Sequence, residues 1–170
     1  MTAPFATCQY RYCPSCQNKL EKKLLDERQR LVCSPCGFIF WNNPKPSVSA
    51  ILANENKILL LKRSHAPFKN YWVLPGGYIE YDEDPKSSII REVKEETGFD
   101  IIINTIIAAY LIDTDPKGNS IDIVYAGNIT GGNLSLREHG DGKFFAVDCL
   151  PDPIAYKHKE VIIYWNTKND

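Results

Sequence analysis

Runs of apolar residues between polar turns predict that most of the chain after residue 46 forms short strands. Residues 46–54 (PSVSAILAN) and 57–64 (KILLLKRS) are rich in β-favouring positions around a polar turn, which indicates a strand pair. A short aromatic strand is expected at residues 70–80, turning at Pro75-Gly76-Gly77. The remaining apolar runs predict three further strands and a final helix, at residues 99–113, 120–130, 143–148 and 155–165. Together they indicate one mixed α/β domain.

The stretch from 84 to 97 predicts a helix whose two ends are marked in the sequence. Asp84 suits the N-cap, Pro85 suits the first helical position, and Gly98 suits the C-terminal cap. With about 100° per residue, one side of this helix is expected to pack on the sheet, namely Ile89, Ile90, Val93 and Thr97. The adjoining side carries three carboxylates that are expected to converge: Glu92, Glu95 and Glu96.

Such close carboxylates need an explanation, because like charges one turn apart destabilise a helix. A group of oxygen ligands is what Mg²⁺ or Mn²⁺ prefers, and a bound ion would neutralise the repulsion. The Gly76-Gly77 turn would let the backbone approach such an ion. Glu83 stands eight residues before Arg91, where the two could pair and hold the loop against the helix. A solvated acidic helix face is the alternative, since such faces are common.

The segment NNPKP, residues 42–46, predicts a joint between two domains, residues 1–43 and 44–170. The 170-residue chain has a net charge of −1 and 44% hydrophobic residues, which favours a globular protein over a general nucleic-acid binder. The charge is uneven, because residues 1–46 carry seven Lys and Arg against three Asp and Glu, and the remainder carries 13 against 18. A basic N-terminal face is therefore permitted, although such faces are more often only solvated.

Four cysteines of the N-terminal part have the spacing C-x2-C-x16-C-x2-C, namely Cys13, Cys16, Cys33 and Cys36. This spacing is typical of a zinc site, because two C-x2-C turns present four thiolates to one tetrahedral ion. The residues between the turns suffice for a strand pair, and Gly37 suits a tight turn. Metal binding would supply the folding free energy of so small a module. Redox C-x2-C motifs or no site at all are the alternatives, and Cys8 and Cys149 are expected to be ordinary or packing cysteines.

The sequence contains no segment that predicts membrane insertion. Residues 1–12 lack the apolar stretch of a signal peptide. The longest apolar run, residues 101–112, is interrupted by Asn104 and Thr105 and is shorter than the roughly 20 residues that a bilayer requires. We therefore expect a cytoplasmic protein with no membrane partner. We expect the zinc module to be a structural brace or a homodimer contact, and we favour either over a nucleic-acid reader.

A long motif spans the end of the aromatic strand and the helix. Gly77, Glu83 and the run REVKEETGF, from Arg91 to Phe99, fill every fixed position of a 23-residue signature, with WVLPGG just upstream. This stretch resembles the Nudix box without a gap, and Asp82 stands in a variable slot where many members carry glycine. The resemblance implies the Nudix fold, a mixed β-sheet between helices, over residues 44–170, preceded here by a small zinc ribbon.

The resemblance also implies a chemistry, which is hydrolysis of a nucleoside diphosphate linked to another group, dependent on Mg²⁺ or Mn²⁺. It implies that the metal is bound by Glu92, Glu95 and Glu96, and that Arg91 and Glu83 orient the helix and the loop. It further implies a glutamate in a later loop as base or extra ligand. Glu138 stands at that place, with Asp141 as the second choice and a plain solvated charge as the alternative.

A four-cysteine ribbon joined to a Nudix domain resembles the NADH pyrophosphatase branch and its shorter relatives, some of which act on FAD or ADP-ribose. The SQPWPFP-like signature of NADH pyrophosphatases has no match in residues 100–118. The resemblance therefore implies a pyrophosphatase that releases AMP from ADP-ribose or FAD first, NAD(H) next and nucleoside triphosphates last. The alternatives are a nucleic-acid-binding regulator with a Nudix sensor and an enzyme that removes a nucleotide cap from RNA.

Substrate contacts are less specific in the sequence. Arg63, next to Lys62 at the end of an apolar strand, could hold a phosphate. Tyr78 could stack on a nucleobase, although aromatic residues near Pro-Gly turns are more often core residues. Gly77 would bring backbone close to the substrate. The same two interpretations, contact or ordinary residue, apply to Phe68, Trp72 and His65. The expected partner is a small nucleotide.

Overall fold

The computed structural model describes residues 10–137 and 139–169. These residues form two compact units, which divide between Pro44 and Lys45 within the proline-containing joint. Each unit has its own sheet and its own hydrophobic core.

The first unit is a three-stranded antiparallel sheet, formed by β1 (Glu21–Leu25), β2 (Arg28–Val32) and β3 (Ile39–Phe40) in that order. The strand pair expected between the two cysteine turns is confirmed. Strand β3 is an addition to the predicted elements, because a two-residue strand leaves no alternating pattern in the sequence. The buried core among the described residues of this unit consists of Leu20, Leu31 and two cysteines. So small a core requires another source of stability.

The second unit is a mixed seven-stranded sheet. Its strands are β4 (Lys45–Asn54), β5 (Lys57–Lys62), β6 (Trp72–Val73), β7 (Gly76–Tyr78), β8 (Asp100–Ile112), β9 (Ser120–Gly131) and β10 (Asp141–Ala146). The order across the sheet is β10-β5-β4-β9-β8, with β6 beside β5 and β7 beside β4. The β4–β9 pair is parallel and the other pairs are antiparallel. The mixed sheet predicted from the sequence is confirmed.

Two helices, α1 (Pro85–Thr97) and α2 (His158–Asn169), pack on the sheet through separate cores. Successive side chains of a strand point to opposite faces of the sheet. Accordingly, Val48 and Leu52 of β4 pack in the core that contains α1, whereas Ile51 packs in the core that contains α2. The predicted arrangement, a mixed sheet between helices, is therefore present.

Helix α1 begins and ends where the sequence predicts. The Asp84 carboxylate accepts hydrogen bonds of 3.0 and 3.1 Å from backbone N–H groups of the first turn, and Gly98 ends the helix with a φ of 77°. Ile89 is buried as expected, but the placement of Ile90 on the buried side is wrong, because its side chain is 38% exposed. Ser88, the residue before Ile89, is buried instead. The side of the helix that packs on the sheet is therefore rotated towards Ser88.

The segment expected to be one aromatic strand with a glycine turn forms two strands. Gly76 and Gly77 do not make the turn itself, because they pair with Ser49 and Val48 of β4. A side chain at Gly76 would clash with the carbonyl oxygen of Val48. Glycine therefore allows β7 to lie close to β4, which places the glycine pair beside α1.

Helix α2 begins at His158 rather than at residue 155. The backbone N–H of Ala155 donates a 2.9 Å hydrogen bond to the carbonyl of Trp72, which ties the preceding segment to β6 and delays the helix. Neither α2 nor any other helix of the described residues combines the length and the apolar character needed to cross a bilayer.

Candidate functional site

A pocket of about 250 Å³ opens in the second unit. Its lining combines the glycine pair of β7, two carboxylates of α1 and polar residues of β4 and β9. Five of the residues predicted for the site line it, namely Arg63, Gly77, Tyr78, Glu92 and Glu96. A concave site where polar groups from several segments converge is the expected place for a ligand, and it is the candidate active site.

The Glu92 carboxylate lies directly against Gly77. A Cβ atom added to Gly77 would stand 2.5 Å from Cδ of Glu92, so the glycine provides the space that the carboxylate occupies. Burial raises the pKa of Glu92, although an ion pair of 3.0 Å with Arg91 opposes this effect. Burial thus disfavours the charged carboxylate, and a cation bound beside it would offset that penalty.

Glu96 is buried and holds two partners. Its Oε2 accepts a 2.9 Å hydrogen bond from the backbone N–H of Gly76, and its Oε1 lies 2.6 Å from Nε2 of His139. The His139 side chain is 3% exposed, and its Nδ1 has no hydrogen-bond partner among the described atoms of the protein. His139 was not among the predicted site residues, because it lies 43 residues from Glu96 and no local pattern marks it.

Arg91 connects the loop to the carboxylates of the helix. Its Nε and Nη2 donate to the Glu83 carboxylate at 2.6 and 2.9 Å, and its Nη1 donates to Glu92 and to Glu95 at 3.0 Å each. These hydrogen bonds lower the pKa of Glu83 to about 2. Arg91 therefore fixes the loop before α1 to the helix and holds the side chain of Glu95.

The three predicted metal-binding glutamates do not all face the pocket. Glu92 and Glu96 line it, whereas the Glu95 side chain is 55% exposed and is turned towards Arg91. Within residues 10–137 and 139–169, the only group of three or more His, Cys, Asp or Glu side chains placed to hold a metal ion is the four cysteines. The structure thus brings two of the glutamates together in the pocket and leaves the third at the surface.

The predicted substrate-contacting residues occupy the pocket in different ways. Arg63 lines it and donates a 2.8 Å hydrogen bond through Nε to the carbonyl of Pro67, which fixes the position of the guanidinium group. Tyr78 lines it with a partly exposed ring, and the Lys45 ammonium lies 5.4 Å from the ring centroid. Tyr156, which the sequence did not single out, is a further lining residue.

Two residues considered in the sequence, Glu138 and Cys8, lie outside the described residues. Asp141, the second choice for the catalytic loop position, belongs to β10 and pairs with Lys143 at 2.7 Å. That ion pair lowers the pKa of Asp141. Asp141 is not among the residues that line the pocket.

The four cysteines of the first unit form one compact cluster. Sγ of Cys13 lies 3.6 Å from Sγ of Cys36, Sγ of Cys16 lies 3.3 Å from Sγ of Cys33, and all four atoms lie within 4.8 Å of one another. A tetrahedral zinc ion with Zn–S bonds of about 2.3 Å requires sulfur atoms roughly 3.8 Å apart. The cluster therefore fits zinc. Hydrogen bonds from Asn18 lower the pKa of Cys16 to about 6, whereas burial raises the pKa of Cys33 to about 12.

The two cysteine turns have the same backbone geometry. The N–H of Gln17 donates to the carbonyl of Cys13 at 2.9 Å, and the N–H of Gly37 donates to the carbonyl of Cys33 at 2.8 Å. Gln17 and Gly37 both have left-handed backbone conformations, with φ of 62° and 76°. Each turn thereby directs two sulfur atoms to the same point.

Known protein families match both units of the chain. The NUDIX domain family matches residues 43–165, and a zinc-ribbon family described as Nudix N-terminal matches residues 11–42. The chain belongs to the Nudix hydrolase family. The predicted Nudix fold and the zinc ribbon that precedes it are thus confirmed.

Individual relatives of this Nudix hydrolase differ in the share that is matched. An ADP-ribose pyrophosphatase from Methanocaldococcus jannaschii is 36% identical over 122 residues, which is 71% of this chain and 72% of that protein. The NAD-capped RNA hydrolase NudC from Vibrio atlanticus is 28% identical over 86% of this chain, and the chain spans 53% of that relative. The crystal structure of a NUDIX hydrolase from Nitrosomonas europaea has a TM-score of 0.80 and 25% identity, and the match covers 94% of this chain and 93% of that one.

Replacing Gly77 by alanine is expected to displace the Glu92 carboxylate without unfolding the Nudix domain. The new Cβ would stand 2.5 Å from Cδ of Glu92, and the flexible end of that side chain can move aside. We expect the affinity for Mn²⁺, measured by calorimetric titration, to fall at least about tenfold, as is usual when a metal ligand loses its support. Gly76→Ala is the matched contrast, because its Cβ would meet the Val48 backbone and should lower the melting temperature. Equal Mn²⁺ affinities of the wild type and Gly77→Ala would contradict the predicted role of Glu92 as a metal ligand.

Proposed function

We propose that this Nudix hydrolase is a divalent-cation-dependent pyrophosphatase that cleaves a nucleoside diphosphate linked to another group and releases AMP from adenylated substrates. The observation that carries the proposal is the position of Glu92 and Glu96 in one pocket, beside the backbone of Gly76 and Gly77. We propose ADP-ribose and FAD as the preferred substrates, followed by NAD(H). The similarity to an ADP-ribose pyrophosphatase over 71% of the chain supports ADP-ribose as one of the preferred substrates.

Glu92 and Glu96 would hold the catalytic Mg²⁺ or Mn²⁺, with Glu95 as a further ligand. The donors fit these cations, because carboxylate oxygens are their preferred ligands and the missing side chain of Gly77 lets the Glu92 carboxylate occupy its place in the pocket. Burial of Glu92 also favours a neighbouring positive charge. When bound, the cation would supply positive charge that neutralises the phosphates and activates water.

Arg91 and Glu83 would act as positioning residues. Their paired hydrogen bonds of 2.6 and 2.9 Å are charge-assisted and hold the loop before α1 in one orientation. Arg91 also donates a hydrogen bond to Glu92, and this second contact would set the direction of a metal-binding carboxylate. His139 would orient Glu96 in a similar way, through its contact of 2.6 Å.

A base for the attacking water is proposed at Glu138, which lies outside the described residues. Asp141 is the less suitable choice, because its carboxylate pairs with Lys143 and lies outside the pocket lining. We therefore assign the base to Glu138, as the family resemblance implies.

The rest of the pocket suits the nucleoside part of such a substrate. Tyr78 and Tyr156 offer aromatic surfaces on which a base could stack, and Arg63 offers a guanidinium group for a phosphate. The Arg63 side chain is fixed by Pro67, so it would bind with little loss of conformational freedom.

We also propose that Cys13, Cys16, Cys33 and Cys36 bind one structural zinc ion. Their sulfur–sulfur separations support this, and the small core of the first unit gives the metal a stabilising role. A role of the ribbon in a homodimer and a cytoplasmic location stay predictions from the sequence.

A panel of substrates tests the proposed function. Equal concentrations of ADP-ribose, FAD, NADH, a NAD-capped RNA oligonucleotide and dGTP are incubated with Mg²⁺, and the products are identified by mass spectrometry. We expect AMP from ADP-ribose and FAD at the highest rates, because cleavage falls within the bridging pyrophosphate. The RNA substrate is included because of the similarity to an NAD-capped RNA hydrolase. Conversion of dGTP to dGMP far faster than any other reaction would refute the proposed substrate class.

A further inference from the structure

A buried polar network joins β4, β9 and α2 beside the pocket, and the proposed chemistry does not use it. At its centre is Asp122, which is 1% exposed. Oδ1 of Asp122 accepts hydrogen bonds from the hydroxyl groups of Ser47 and Ser49, at 2.9 and 3.2 Å. Oδ2 accepts one from the Tyr110 hydroxyl at 3.2 Å and lies 3.6 Å from Nε2 of His158. Both carboxylate oxygens are therefore fully engaged.

The protonation of this network follows from its hydrogen bonds. The backbone N–H of Leu74 donates to Nδ1 of His158 at 2.9 Å, so Nδ1 is an acceptor and the ring proton resides on Nε2, facing Asp122. Burial opposes ionisation of Asp122, but hydrogen bonds from His158, Ser47 and Ser49 outweigh it and hold the pKa of the carboxyl below its usual value. Asp122 is thus a buried anion.

This anion determines what the two serines can offer to a ligand. A serine hydroxyl carries one proton and two lone pairs. Ser47 also lies 3.3 Å from the carbonyl of Ile121, but the charged Asp122 oxygen is nearer and attracts the proton more strongly. Both hydroxyl protons are therefore directed to Asp122. One lone pair of Ser49 faces Nε2 of His158 at 3.5 Å. What Ser47 and Ser49 present to the pocket, which both residues line, is their remaining lone pairs.

The register of β4 places these two oxygens between the candidate catalytic centre and an aromatic side chain. Ser49 lies opposite Gly76, whose N–H binds Glu96, and Ser47 lies opposite Tyr78. The oxygens of Ser47 and Ser49 are hydrogen-bond acceptors with the Asp122 anion behind them. They therefore attract hydrogen-bond donors and repel phosphate groups. With the proposed cation held by Glu92 and Glu96, a substrate would direct its phosphates to that end of the pocket and a donor group to the serines.

We propose that Ser47 and Ser49 form a specificity-determining subsite for a hydrogen-bond donor on the nucleoside part of the substrate. Asp122 and His158 are positioning residues, which fix the direction of the two hydroxyl protons. The inference rests on the proposed function and deepens it. The subsite requires a hydrogen-bond donor that can face the serine oxygens. Both the exocyclic amino group of a nucleobase and a ribose hydroxyl are such donors.

The test compares ADP-ribose with two analogues that each lack one donor. The hypoxanthine analogue replaces the adenine amino group by a carbonyl oxygen, and the 2′-deoxyadenosine analogue lacks one ribose hydroxyl. We expect one of them to raise KM about tenfold with kcat within about twofold, because a buried acceptor is left without its partner. Ser47→Ala or Ser49→Ala should remove most of this discrimination, and Asp122→Asn should reduce it, because the amide can donate and turn the hydroxyl protons away. Thr167→Ala, which removes an exposed hydroxyl group of α2 outside the pocket lining, is the matched control and should behave as wild type.

A second measurement separates this inference from the proposed function. The affinities for AMP, IMP and 2′-deoxy-AMP are measured by calorimetry in the presence of chelator, together with the melting temperature of each variant. Retained discrimination among these nucleotides without hydrolysis of any adenylated diphosphate would overturn the proposed function alone. Hydrolysis of ADP-ribose with equal treatment of all analogues, in folded wild type and folded serine variants, would overturn the subsite. If neither hydrolysis nor discrimination is observed, both are overturned.

Discussion

Replacing Glu96 by glutamine is expected to lower the rate of hydrolysis by at least about a hundredfold, because the loss of a metal ligand weakens the stabilisation of charge in the transition state. The fold should survive, since the glutamine carbonyl oxygen can still accept the hydrogen bond from the N–H of Gly76. The rate is measured with the best substrate of the panel over a range of Mg²⁺ concentrations, and the melting temperature is recorded in parallel.

Glu55→Gln is the matched control, because Glu55 is an exposed carboxylate in the turn between β4 and β5. It should keep the wild-type rate. Full activity of Glu96→Gln in the presence of a chelator would disprove the role of Glu96 and the metal dependence together. A loss of rate accompanied by a large fall in melting temperature would point to a structural role for Glu96 instead.

Replacing Cys33 by serine is expected to release the zinc ion and to unfold the first unit. Binding of a structural zinc ion contributes on the order of 10 kcal/mol or more to the folding of such modules. The core of this unit, with Leu20 and Leu31, is too small to compensate. Elemental analysis should find one zinc per wild-type chain and none in Cys33→Ser. Limited proteolysis should then cut the ribbon, while the Nudix sheet stays resistant because its core is separate.

Cys149→Ser provides the control, because Cys149 is exposed and lies outside the cluster. It should retain its zinc. Wild-type protein that is purified without chelator and contains no zinc, but does contain a disulfide between Cys13 and Cys33, would show that the cluster is not a metal site.

Local features of the chain were predictable where the chemistry of a few neighbouring residues decides the structure. Asp84 and Gly98 mark the ends of α1, because capping depends on residues within one turn. The four cysteines were predictable for the same reason, since short C-x2-C turns fix their own geometry. The contact between Glu83 and Arg91 also follows from a short spacing across the start of the helix.

Contacts between distant segments were not predictable from local patterns. Contacts from other segments, Gly77 against Glu92 and Gly76 with Glu96, accompany the glutamates that face the pocket, and a helical projection does not include them. His139 reaches Glu96 across 43 residues, and Ser49 reaches His158 across 109. In the sequence, the two serines of β4 stand in a run of apolar residues, and a strand prediction treats them only as tolerated positions. Their chemistry arises from Asp122, which the parallel pairing of β4 and β9 brings beside them.

The parallel pairing of β4 and β9 has a consequence for folding during synthesis on the ribosome. The sulfur atoms of Cys13 and Cys36 are 23 residues apart, so the ribbon can close as soon as a short stretch has left the exit tunnel. The contact between Ser47 and Asp122 joins residues that are 75 positions apart, and His158 comes later still. Distant strands can pair only after both have been synthesised, and such pairings form slowly. The ribbon would therefore fold in the nascent chain well before the pocket forms. During that interval β4, with its apolar residues, lacks its partner strand because β9 has not yet been synthesised. Aggregation or binding by a chaperone is most favoured during this period of translation.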